Sequence, residues 1–107
     1  MPDREAPDGT LAAVVADIAS EFDEVTTTST SGGFELRRGS RLFAVVDRAA
    51  VEFRLRAEVA EAVLRTPDTA PSGRANDWVR FEPGAIDSSV EDRLAAWITS
   101  AWRAAGN

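Results

Sequence analysis

The order of helical and strand-like patterns predicts a two-layer α+β domain, with helices on one face of a mostly antiparallel sheet. Apolar residues recur at three- and four-residue spacing near both ends of the chain, the mark of amphipathic helices. Between them lie three short segments in succession, rich in branched and aromatic residues and joined by turn residues, which pair most simply as hairpins. The 107 residues suit one core and leave no room for a second. The expected order is α-β-β-β-α-β-α over residues 10–105, preceded by a mobile tail over residues 1–9.

The first helix starts near Thr10, with Asp8 or Thr10 as its cap, and Leu11, Val14, Val15, Ile18 and Phe22 form its apolar stripe. Asp17, Glu21, Asp23 and Glu24 lie on its polar side and read as a solvated acidic face. The stretch "TTTSTSGG", Thr26 to Gly33, mixes extended and turn preferences and is expected to link helix to strand. Phe34 and Leu36 alternate with Glu35 and Arg37 in a first strand, and "RRGS" supplies a glycine turn. Leu42 to Val46 is apolar at every position, as in a strand flanked on both faces. Asp47 to Ala50 forms the next turn, and Val51, Phe53 and Leu55 then alternate with Glu52, Arg54 and Arg56.

A short helix through Val59, Ala62 and Val63 stops before Pro67. Thr66 to Asp77 reads as a loop, Trp78 to Glu82 as a fourth strand, and Pro83-Gly84 as its end. "SSVE", Ser88 to Glu91, has capping-box spacing and opens the last helix, striped by Val90, Leu94, Trp97, Ile98 and Ala101.

Composition excludes more than it suggests. The chain has no histidine, cysteine or tyrosine, and all 12 basic residues are arginine, so lysine is missing too. Ser–His, Cys–His and lysine-imine catalysis therefore cannot be built from this chain alone, nor can thiolate or imidazole metal sites. The expectation is a binding module and not an enzyme, with no cofactor and no metal. No run of about 18 apolar residues is present, and the acidic, proline-containing start is unlike a secretory signal, so the expected location is the cytoplasm.

The net charge of −6 is unevenly spread. Residues 31–60 hold six arginines against four acids, the only positive third, and the stretch "RLFAVVDRAAVEFRLR" lies within it. If Asp47–Ala50 is a four-residue loop, Val46 faces Val51, Ala44 faces Phe53 and Leu42 faces Leu55 on the buried side. The outer side then carries Arg41, Phe43, Arg54 and Arg56, with Trp78 and Arg80 from the fourth strand. Arginine beside an aromatic is the composition of a stacking platform or a protein hot spot. These six residues are the candidate site.

From Phe34 to Trp102 the chain resembles the MmcQ/YjbR-like family of small bacterial proteins. The resemblance rests on "RLFAVV", on "VEFRLR" running into "AEVAEAVLR", on "WVRFEP", and on a closing aromatic helix. Arg41 and Arg54 stand where members usually have lysine, and "SAW" stands where they often have "SY". The resemblance implies an α-β3-α-β2-α fold similar to that of secretion chaperones. It also implies DNA binding through a double wing of hairpins, and it carries no catalytic residue set. A sequence pI of about 4.6 opposes the DNA implication, because phosphate neutralisation normally needs a basic domain. A protein partner is the favoured expectation.

Overall fold

A computed structural model describes residues 10–106, and the tail expected over residues 1–9 lies outside them. The elements in order are α1 (Leu11–Ala19), β1 (Val25–Ser29), β2 (Phe34–Arg38), β3 (Arg41–Val46), β4 (Val51–Arg54), α2 (Ala57–Val63), β5 (Thr69–Pro71), β6 (Trp78–Phe81) and α3 (Ser88–Ala105). The six strands form one antiparallel sheet in the order β1-β2-β3-β4-β6-β5. The α+β class and the antiparallel sheet are as expected, with two strands more than the sequence reading placed.

Both added strands sit at the sheet edges. All of Val25–Ser29 but its first residue falls in the segment expected to be a linker, where its β-branched residues prefer extended backbone and pair with β2. Thr69–Pro71 lies inside the expected loop and pairs with β6. Helix α1 ends at Ala19, short of Phe22, and the chain turns through Glu24, whose φ of 65° lies in the left-handed region. The β2–β3 turn uses Gly39 at φ 62°, the glycine-first geometry that matches the twist of a two-residue hairpin.

Helix caps follow local chemistry. The Thr10 hydroxyl accepts the Ala13 N–H at 3.1 Å. At α3 it is Asp87, not a serine of the expected capping box, whose carboxylate accepts the Val90 N–H at 2.9 Å. All three helices contribute to one core cluster with the sheet. From α3 come Leu94 and Ile98, both fully buried, each contributing about 1.5–3 kcal/mol by burial. Trp97 packs edge-on against Phe81 and Phe53, at 4.9 and 6.2 Å between ring centroids.

The β3–β4 hairpin has the expected register at Val46↔Val51, Val45↔Glu52 and Ala44↔Phe53. Its loop is held by Asp47, whose Oδ1 accepts the N–H groups of Ala49 and Ala50 at 2.9 and 2.8 Å. Burial alone would raise the Asp47 pKa, but these two N–H groups and the Arg80 guanidinium outweigh it and hold the carboxyl below its ordinary value.

Two expectations about this hairpin fail: Leu42 does not pair with Leu55, and Phe43 is not on the outer face. On the β2 side, Leu36 pairs with Ala44 but Arg37 pairs with Leu42, so Phe43 is the extra residue of a β-bulge. The bulge shifts the parity of β3, and Phe43 turns into the core beside Ala44 with 0% of its surface exposed. It is not on the outer face.

Candidate functional site

Alternation along β4 and β6 places Arg54 opposite Trp78 and Glu52 opposite Arg80, and residues paired in this way share a face. Three of the six sequence-predicted residues, Arg54, Trp78 and Arg80, therefore come together on the outer face. The others do not join them. Phe43 is in the core. Arg41 pairs with Arg38, whose guanidinium reaches the helix layer, so Arg41 belongs to the opposite face. Arg56 lies past the end of β4, exposed at the N-cap of α2 and making no side-chain cap bond. The β3–β4 ladder ends at Ala44↔Phe53, so the expected Arg41–Arg56 neighbourhood does not form.

Each outer-face arginine meets a carboxylate. Arg54 Nε pairs with Asp77 at 3.0 Å, and Arg37 pairs with Glu35 at 2.9 Å. Arg80 lies 3.3 Å from Glu82, 3.6 Å from Asp47 and 3.9 Å from Glu52. Glu52 is the centre of the group: it accepts from Arg74 Nε at 2.8 Å and from the Ser72 hydroxyl at 3.0 Å. Arg74 also sits over the Trp78 ring at 5.4 Å, and Trp78 is only 8% exposed. The expected partly open tryptophan is thus roofed by an arginine from the β5–β6 loop. Exposed ion pairs of this kind contribute about 0–1 kcal/mol each. Their consequence here is electrostatic: the face presents paired charge, not a positive field.

The opposite face holds an arrangement that the sequence reading did not find. Phe22 and Trp102 stack at 5.1 Å, and the Arg38 guanidinium lies over the Trp102 ring at 3.9 Å. Arg38 Nη1 donates to the Trp102 carbonyl at 3.0 Å and its Nε donates to Glu24 at 3.2 Å. Trp102 Nε1–H donates in turn to the Asp23 carbonyl at 3.0 Å. This knot ties the end of α3 to the entry of β1 and to β2. An open groove of about 660 Å³ runs beside it, lined by Phe22, Glu24, Val25, Arg38 and Gly106 among others. Arg38 and Trp102 are 64 residues apart, so no local pattern links them.

The two sheet edges differ sharply. β5 has three residues, one of them Pro71, and follows Asp68 at φ 67°. Short length and proline are the usual means of blunting an edge against further pairing. β1 has five residues, Val-Thr-Thr-Thr-Ser, with neither charge nor proline, and all but Val25 are exposed. The Thr30 N–H donates to Gly33 O and the Glu24 carbonyl accepts from Gly39 N–H, so the even-numbered residues turn their backbone groups toward β2. Antiparallel alternation then directs the N–H and C=O of Val25, Thr27 and Ser29 outward. Among the described residues this edge is open. The signal that could have found it is the threonine run itself.

Among the described residues, no group of three or more His, Cys, Asp or Glu is placed to hold a metal ion, and no helix is long and apolar enough to cross a membrane. No family model, curated protein or solved structure matches the chain.

Proposed function

We propose that this domain is a non-catalytic cytoplasmic module that binds a protein partner, and that it does so by strand addition at the β1 edge. The observation that carries the reading is that edge: five uncharged residues with outward backbone donors and acceptors at Val25, Thr27 and Ser29. Main-chain hydrogen bonding supplies the affinity in this mode, so no basic or apolar patch is required.

The pairing of Arg37, Arg54, Arg74 and Arg80 with carboxylates supports a protein partner over nucleic acid. A phosphate backbone would have to displace those carboxylates, in a chain whose net charge is already −6. The absence of histidine, cysteine, lysine and tyrosine supports a non-catalytic role. The MmcQ/YjbR-like assignment is part of the same proposal. The order α-β4-α-β2-α supports it in outline, with one strand more than that family's pattern before the second helix.

The test is a benzophenone side chain in place of Thr27, photo-activated in the cells that make the protein. Adducts with protein are expected from Thr27, and none from the same probe at Arg37. Anisotropy of short single- and double-stranded DNA at low salt is expected to stay flat at tens of micromolar protein. Silence at Thr27, or DNA binding that weakens steeply with salt and is lost in Arg54→Glu, overturns the reading.

A further inference from the structure

We propose that the partner at β1 is a second copy of this chain, added antiparallel about a two-fold axis through Thr27. This rests on the edge being the binding surface, and it names the occupant.

The backbone geometry selects that axis. Val25, Thr27 and Ser29 point their N–H and C=O groups outward, and an axis through Thr27 brings outward groups only against outward groups. Thr27 then exchanges both bonds with Thr27 of the other copy, and Val25 with Ser29. An axis at Thr26 or Thr28 would set an inward-turned pair at its centre and bring only two of the three outward residues of β1 into bonded pairs with β1 of the other copy. The side chains agree with the same choice. Thr26 comes beside Thr28 on one face, while Thr27 meets Thr27 on the other, and hydroxyl pairs of this kind are favourable across strands. A closed, isologous pair is the commonest outcome when a surface complements itself.

Charge points the same way. The chain carries −6 overall, so two copies repel over most of their surfaces. The β1 seam has no charge, and its flanks are asymmetric: Asp23 and Glu24 precede it, while Thr30, Ser31 and Gly32 follow it. Antiparallel addition sets the acids of one copy against the uncharged turn of the other, whereas parallel addition would stack acid on acid. Glu24 is in addition neutralised by Arg38.

A heterologous peptide would gain its selectivity from charged or apolar pockets along the edge, and the exposed residues of β1, Thr26 to Ser29, offer hydroxyls alone. The helix layer does not reach over β1, leaving Thr27 and Ser29 exposed on the side where α3 packs on its neighbours. The knot of Phe22, Trp102 and Arg38 stands at the rim of that overhang. In the pair, the groove beside the knot becomes one wall of a trough between two helix layers, floored by the joined β1 strands.

Sedimentation equilibrium of the full chain from micromolar to millimolar concentration is expected to show a monomer–dimer equilibrium. Thr27→Pro removes an outward N–H that β2 does not use, and Thr27→Lys sets like charges at the axis. Each should raise the dimer dissociation constant about tenfold or more, with the far-ultraviolet circular dichroism unchanged. If Thr27→Pro disturbs the fold, Thr27→Lys carries the test alone. A wild-type chain that stays monomeric throughout, or a dimer indifferent to Thr27→Lys, overturns the inference. A monomer that still gives Thr27 adducts with a different protein refutes the second copy but leaves edge binding standing. A monomer without adducts refutes both.

Discussion

Phe43→Ala is expected to lower the unfolding free energy by about 3–5 kcal/mol, read by urea denaturation monitored by circular dichroism. The magnitude follows from position. Phe43 is completely buried, it is among the largest side chains of the core, and the bulge that turns it inward is set by the pairing of β2 with β3. Truncation removes the ring's transfer energy and leaves a cavity that a close-packed interior fills only in part. A domain of this size is stable by about 5–15 kcal/mol, so the loss is a large share of the whole. Were Phe43 on the outer face beside Arg54, the same change would cost no more than about 0.5 kcal/mol. A value that small would refute the bulge.

Gly33→Ala should cost about 3 kcal/mol or more, through backbone crowding rather than lost burial. A Cβ at Gly33 would lie 1.9 Å from the Val46 carbonyl oxygen, 2.8 Å from its carbon and 3.0 Å from the Asp47 Cα. All three are backbone atoms of the β3 end, which the Asp47 loop holds in place, so no flexible side chain can move aside. The hairpin must then shift where Phe34 pairs with Val46, the first rung of the β2–β3 ladder. Gly32 is the internal control. A Cβ there meets nothing within 4 Å, and Gly32→Ala should change stability by less than about 0.5 kcal/mol. Equal effects at the two glycines, measured in the same denaturation series, would show that the close approach is absent.

What was readable from residue order is what local chemistry determines. The stripes of α1 and α3, the alternation of β4 and β6, and the Asp47 loop depend on residues within a few positions of one another. The register Ala44↔Phe53 follows from that loop length and was legible. So was the meeting of Arg54, Trp78 and Arg80. What escaped depends on neighbours distant in sequence. The bulge at Phe43 arises from the fit of β2 to β3, and an uninterrupted apolar run gives no sign of where parity changes. Asp77 and Arg74 reach the outer face from a segment that reads as irregular, so the charge balance there was only half visible. β1 lacks the apolar alternation of a half-buried strand because it is exposed on both faces, and threonine preference alone was outweighed by the neighbouring serines and glycines. The feature proposed to bind is thus the one that leaves the weakest trace in the pattern.

Amide hydrogen exchange along Val25–Ser29, followed by NMR over a dilution series, tests the open edge most directly. At low concentration Thr26 and Thr28 should exchange slowly, bonded to β2, while Val25, Thr27 and Ser29 exchange fast. Raising the concentration should slow the three outward amides and leave the inward two unchanged. Uniform exchange across all five residues, fast or slow, at every concentration would contradict the account.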